Sequence, residues 1–448
     1  TIVDRTPSAT DCIENQVSYS ATSPEGVVAD SSVWSLFRTD QVYTPKVALT
    51  DYNFETPSMN LLTSTQTIHK TSGQEEKFDY PGGFGTQDGG TTYGNVRIEE
   101  LETFTLVVRG ESNCASFTSG LQFTLCDHYR NDTNQAYLLT SVEHYASAPN
   151  FVAGQGEDLS YKNRFEAIPQ SVNLRPPQRT RKPLVAGSQT AVVVGPSGEE
   201  IYVDNYGRVK VQFFWDRDGK KDEKSSCWVR VSQIWAGKNW GWMTIPRIGQ
   251  EVVVDFLEGD PDKPLIVGRI YNAEQMPPYT LPDNSTQSGI RSRSSKGGGT
   301  SNCNEICFED KMGSELLSVH AEKDMLTEVE NDDTQTVDHD RIITVKGKHT
   351  ETITGDTAIV IQQGNHALTL NQGNQSTKID LGSEAHEAMQ QIELKVGQSS
   401  IVLTQQGITI KGLQISIQGT IQLEAKAAMT TVSADGIMTV KGAMTMIN

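Results

Sequence analysis

Few side chains in this 448-residue chain have both the type and the spacing for chemistry. Cys303 and Cys307 have the C-x3-C spacing of half a zinc site. A structural zinc needs four ligands, and no second Cys or His pair lies at a matching distance, so free thiols are the reading. His339, His349 and His366 fall on a repetitive segment without carboxylates at helical spacing beside them. Identical chains meeting on an axis would gather copies of one histidine into a metal site; a solvated surface is the simpler reading. Asp and Glu are plentiful, yet spacing singles out no pair for the acid and nucleophile of a glycosidase. The run Pro81-Gly82-Gly83-Phe84-Gly85, followed by Asp88-Gly89-Gly90, is rich in glycine. It lacks a Gly-Lys-Ser/Thr ending and is read as a loop that opens no helix, which argues against a phosphate cradle. The sequence has no G-x-S-x-G, H-E-x-x-H, Walker or EF-hand pattern. No catalytic residue, metal ligand or cofactor site is predicted, and the chain is not expected to be an enzyme.

What remains is architecture, and one stretch organises it. Val329, Val337, Val345, Ile353 and Ile361 recur every eight residues, with Thr336, Thr344 and Thr352 beside them. His339, Gly347 and Gly355 follow the column two residues behind. An even interval keeps a column on one face of an extended chain, whereas the 3.6-residue period of a helix would walk it around the axis. Short strands at a fixed repeat imply a stacked or wound β architecture. Beyond Phe308 there is no aromatic residue, beyond Cys307 no cysteine, and beyond Pro282 no proline. One slim aliphatic column per repeat cannot fill a monomeric core at ordinary packing density, but it can fill a narrow axis shared between chains. The reading is an intertwined β-fibre, a trimer, with those valines and isoleucines as its core. A monomeric β-solenoid is the alternative.

The formal charge of −18 argues against a surface that wraps nucleic acid or clings to anionic membrane. No apolar run approaches the roughly 18 residues of a membrane-spanning helix. The opening Thr1-Ile2-Val3-Asp4 has neither an initiator Met nor a basic-then-apolar leader, so it is read as the interior of a longer protein without a signal peptide. Six cysteines are few for this length and suit synthesis in a reducing cytoplasm.

Length implies about three domains. Within 1–170, the segments 96–101, 104–108, 121–125 and 137–145 alternate as strands. The stretch 165–183 is rich in Pro and Arg, which places an extended linker at 171–189. A second domain, 190–272, has strands at 190–194, 209–215, 228–231, 251–256 and 265–270, separated by turns such as Asp204-Asn205-Tyr206-Gly207. Short strands in this number suit a small OB-type barrel. Five of the six tryptophans (Trp215, Trp228, Trp235, Trp240, Trp242) fall here. They could stack on nucleic-acid bases, but an acidic chain without a basic stripe favours core and interdomain packing. Residues 273–304 read as a Pro/Gly linker, too short to hold a catalytic domain.

The fibre is assigned to 305–448, beginning with strands at 305–309 and 315–320. Between Glu322 and Asp340 it carries eight acidic residues and one basic one. Beyond Ile361 the interval relaxes to nine at Gly364, Gly373 and Gly382, and a small interruption falls at 385–391. The last twenty residues hold four of the ten methionines, Met429, Met438, Met444 and Met446. Such flexible side chains suit docking to another protein, or simply fill the last turns of the fibre. Met438, Met444, Met446, Ile447 and Asn448 form the candidate partner site at the tip.

Several runs resemble a known family. They include Val192-Val193-Val194-Gly195-Pro196-Ser197-Gly198-Glu199-Glu200, Gly207-Arg208-Val209-Lys210-Val211-Gln212-Phe213 and Ser226-Cys227-Trp228-Val229-Arg230-Val231. Pro246-Arg247-Ile248-Gly249-Gln250-Glu251-Val252, Phe256-Leu257-Glu258-Gly259-Asp260-Pro261-Asp262 and His320-Ala321-Glu322-Lys323-Asp324-Met325 go with them. In these the chain is similar to VgrG, the spike of bacterial type VI secretion systems, related to the hub and central spike of contractile phage tails. The resemblance implies a mostly β chain: a phage-hub-like barrel region, an OB barrel, then a trimeric triple-stranded β-helix ending in a tip. It implies a homotrimer with an Hcp tube at the base, baseplate components, and a PAAR-type tip protein or effector at the C-terminal end. It also implies synthesis in the bacterial cytoplasm, export to the extracellular space or a target cell, and transient passage through a target membrane as a sheath contracts. The family's N-terminal barrel portion is expected to precede Thr1, and no enzymatic extension after Asn448 is carried over. The competing reading is a β-helix protein that binds or cleaves polysaccharide, against which the lack of aromatics after Phe308 counts. A trimeric surface adhesin is a third, for which no membrane anchor is evident.

Overall fold

Alternating apolar and polar residues between 11 and 169 roll a sheet onto itself, because each strand has one face to bury. The computed structural model describes residues 9–21, 31–68, 74–147 and 160–446. The chain divides into two units, Thr1–Glu328 and Val329–Asn448. In the first, β1 (Asp11–Tyr19) and β2 (Ser32–Asp40) open a barrel, and β3 (Lys46–Leu49), β4 (Thr63–Gln66) and β5 (Glu76–Asp79) form a side sheet. After helix α1 (Gln87–Thr103), strands β6 (Leu106–Ser112), β7 (Gln122–Cys126), β8 (Ala136–Ser147) and β9 (Ser160–Pro169) close the barrel in the order β1-β2-β6-β9-β8-β7. Its interior is aromatic: Phe117 packs on Phe123 at 4.6 Å and edge-on to Phe165 at 5.4 Å, with Tyr137 and Leu139 beside them.

Helix α1 overturns two expectations. The segment 96–101, read as a strand, is its C-terminal half, and the glycine-rich run read as a simple loop leads into its N-terminus. Thr86 caps that end, its Oγ1 accepting from the Gly89 amide at 3.2 Å. The buried face is Gly90, Gly94, Ile98 and Glu102, at four-residue spacing. A Cβ on Gly90 would fall 2.6 Å from the Phe84 ring, and one on Gly94 2.5 Å from Thr65 Oγ1. These glycines let the helix lie close against the side sheet. Without their side chains the apolar stripe is too faint to read. The expected linker is also partly structured. Phe165 and Pro169 belong to β9, and beyond it Thr103 Oγ1 donates to the Asn173 carbonyl at 3.0 Å while Arg175 pairs with Glu99 at 2.6 Å on α1.

The second barrel follows its sequence pattern closely. Strands β10 (Gln189–Val194), β11 (Lys210–Phe213), β12 (Arg230–Val231), β15 (Glu251–Phe256) and β16 (Pro264–Ile270) form one sheet in the order β11-β10-β15-β16-β12. A bridge between Val209 and Val229 closes it. Alternation sets the core: Val252, Val254 and Phe256 point inward with Ala191, Val193, Val211 and Ile266, while Asp255 is exposed. A hairpin of β13 (Trp235–Gly237) and β14 (Trp240–Trp242) stands off this barrel. The two barrels meet through the loop after β3. Asp51 pairs with Lys263 at 3.2 Å, and the Phe54 ring lies under Arg208 and Arg230 at 5.2 and 4.8 Å.

The stretch 273–304, read as linker, contains a strand. β17 (Gln287–Arg291) pairs antiparallel with β18 (Glu305–Glu309), which pairs with β19 (Leu316–His320). Gly289 and Ser288 masked its alternation. In the second unit, β20 (Gln391–Val396), β21 (Ser399–Thr404) and β22 (Gly407–Lys411) form an antiparallel sheet.

Candidate assembly surface

The repetitive segment is a series of extended stretches separated by bends. Bends occur at 330–331, 338–339, 346–347 and 354–355, then at 362–364, 371–373, 380–382 and 389–390. Each residue of the apolar column stands immediately before a bend, which is why the interval holds: a fixed length of extended chain plus a fixed corner makes one repeat. Where the interval grows to nine, the corner takes the extra residue. Its last position is Gly364, Gly373 or Gly382, at φ +113°, +103° and +131°, where a side chain would be strained. The same rule extends the column to Leu370 and Ile379. The sequence reading missed them because it counted in eights.

The column is marked by its exposure. Val329, Val337, Val345, Ile353, Ile361, Leu370 and Ile379 are each 45% to 49% exposed, whereas Val360, Ile342, Leu326 and Leu381 are 81% to 97% exposed. In one chain the column residues are therefore only half covered. Between 321 and 390 no strand and no backbone–backbone hydrogen bond is present among the described residues. An extended backbone with open donors and acceptors, beside an apolar column, leaves both a hydrogen-bonding edge and an apolar surface uncovered in the single chain.

Both flanking sheets show the same incompleteness. Ile290, Ile306 and Val319 lie opposite one another across β17–β19, and Phe308 faces Leu317 on the same side; all five are exposed. Leu394, Ile401 and Ile410 are aligned across β20–β22, and all are exposed. Contiguous apolar rows without cover mark interaction faces. At the start of the acidic stretch, hydrogen bonds from Ser294 and from the Asn302 amide hold the Glu322 carboxyl below its ordinary range.

The remaining sequence-derived candidates separate. Met438, Met444 and Met446 are exposed, while Ile447 and Asn448 lie outside the described residues. All six cysteines are unpaired thiols, and burial pushes Cys114 up to about 11, which suppresses its thiolate. His339 lies 3.1 Å from its neighbour Asp340 on the exposed surface, and no group of three metal-ligating side chains forms among the described residues. The tryptophans do not enter the barrel core; Trp215 stacks on Phe213 at 5.3 Å and Trp228 lies against Tyr202 at 4.9 Å on the barrel's outside. Trp215, Trp235, Trp240 and Trp242 are exposed and Trp228 is half-buried, because the valine-rich barrel is too narrow to take indole rings. Among the described residues, no helix is long and apolar enough to cross a membrane.

Comparison with known proteins places each region. Residues 1–150 match the phage tail baseplate hub family, and 190–271 match the type VI secretion system/phage-baseplate injector OB domain. Residues 288–403 match the bacteriophage T4 gp5 C-terminal trimerisation domain. The type VI secretion system spike protein VgrG1b of Pseudomonas aeruginosa is 46% identical over 314 residues, covering 70% of this chain and 42% of that protein. VgrG1a of the same organism is 45% identical over 308 residues, covering 68% of this chain and 48% of that protein. The chain thus spans less than half the length of these relatives. One solved structure, an Escherichia coli type VI secretion component described as similar to the T4 tail proteins gp27 and gp5, aligns over 57% of this chain and 50% of its own at 21% identity, with a TM-score of 0.34. With hub, OB and trimerisation modules in succession and close relatives across most of its length, the chain belongs to the VgrG family of type VI secretion system spike proteins.

Proposed function

We propose that this chain forms the hub, collar and shaft of a trimeric, membrane-puncturing spike. It would be seated on an Hcp tube among baseplate components and carry a PAAR-type tip protein or an effector at its C-terminal end. The role is mechanical and needs no catalysis. One observation carries it: an apolar column half covered at every repeat, beside an extended backbone without partners, within the stretch similar to a trimerisation domain. Winding three such chains together brings the column residues onto a common axis and pairs each backbone with its neighbours, leaving no long free edge to peel under load. The acidic stretch near the shaft's start repels anionic lipid as the spike passes. Export through the apparatus delivers the spike outside the cell or into a target cell.

Solution mass by light scattering, across a range of concentrations, tests the reading. A stable mass of three chains is expected. A single-chain mass at all concentrations, from a chain whose barrels are folded, would remove the shared axis and with it the mechanical role. Pulldown with candidate tip proteins then tests the C-terminal docking site, with loss of capture expected for Met438→Ser, Met444→Ser and Met446→Ser together.

A further inference from the structure

The OB barrel carries an arm that its own chain does not use. The β13–β14 hairpin pairs Trp235 with Trp242 and Gly237 with Trp240, and Trp235 meets Trp240 edge-on at 5.0 Å. Its base is clamped. Gln233 exchanges hydrogen bonds with the Thr244 backbone at 3.0 and 3.3 Å, and the Arg269 guanidinium donates to Thr244 Oγ1 at 3.1 Å. The arm is thus held in shape at its base while much of its apolar surface stays exposed. Ile234, Trp235, Trp240, Trp242 and Met243 are between 40% and 87% exposed. Five large apolar side chains within ten residues, on a preorganised hairpin, have the composition of an interface anchor.

A second copy of this chain is the occupant that the connections of the OB barrel favour. The OB barrel is strapped to the segment around β17. Arg247 donates to the Arg293 carbonyl at 2.8 Å, Lys296 pairs with Glu199 at 2.8 Å, and the Gly297 amide donates to Glu200 at 2.6 Å. That segment lies inside the stretch similar to a trimerisation domain. Chains brought together there carry their OB barrels with them and set them side by side, at high effective concentration.

We propose that the Trp235–Trp242 hairpin of each copy packs against the OB barrel of the adjacent copy, forming a collar that locks the base of the shaft. This rests on the trimeric reading above. The test places a photo-reactive benzoylphenylalanine at position 240 and irradiates assemblies mixed from isotope-light and isotope-heavy chains, alongside a mass measurement. The same label at position 243 repeats the experiment with every tryptophan intact. The expected result is a three-chain mass with light-to-heavy crosslinks that map to residues 190–271. A three-chain mass with crosslinks absent, confined within one chain, or directed to the 11–169 barrel at both positions overturns the collar while leaving the trimer standing. A one-chain mass removes the trimer and the collar together.

Discussion

Replacing Val345 and Ile353 by Asp tests the shared axis most directly. Full burial of a Val or Ile side chain is worth ~1.5–3 kcal/mol relative to full exposure. Each of these residues is close to half exposed in a single chain, at 49% and 48%, so closing an axis over it adds about 1 kcal/mol per copy. Two positions in three copies then lose about 6 kcal/mol, roughly four orders of magnitude in association. Each aspartate must in addition leave water or take up a proton, which deepens the loss. The control puts Asp at Ile342 and Val360, which are 86% and 81% exposed and stand off the column. Chain mass and thermal unfolding are read on both variants. The column pair should dissociate to single chains, and the control should keep its mass and midpoint. Equal behaviour of the two pairs, whether both intact or both dissociated, would refute the assignment of the column to an interior.

Three further outcomes follow from individual contacts. Gly364→Ala or Gly373→Ala places a side chain at φ above +100° and should lower shaft stability by ~1–3 kcal/mol per copy, read as an earlier melting transition. Thr86→Ala removes the cap of α1 and should lower hub stability by about 1 kcal/mol in chemical denaturation. Burial would raise the Asp51 carboxyl, but the Tyr52 and Gly83 amides and the Lys263 ammonium outweigh it and hold its pKa below the ordinary value of 3.8. Its contribution is therefore complete above that ordinary value and is lost as pH falls through the lower folded one. Asp51→Asn should reduce stability at pH 7 and flatten the acid limb of the stability profile; an acid limb identical to that of the parent chain would remove the ion pair from the account.

Much of the chain was legible as a string because its patterns are local. The eight-residue column is read from even spacing alone, and β15 from the alternation in Glu251–Phe256, since strand period and inward face are set by backbone geometry. Runs of OB sequence pointed to the family before any coordinate did. Tertiary structure decided what depends on a neighbour. Helix α1 exists because Gly90 and Gly94 let it approach Phe84 and Thr65, a contact invisible to a periodicity that counts only large side chains. Gln287–Arg291 becomes a strand because β18 lies beside it. The tryptophans stand outside because the space within the barrel is already filled by valines. The step from eight to nine residues is absorbed at the corners, so the column runs on to Leu370 and Ile379. Spacing along the chain determined which residues share a face; only the fold decided which of those faces its own chain covers and which it leaves exposed.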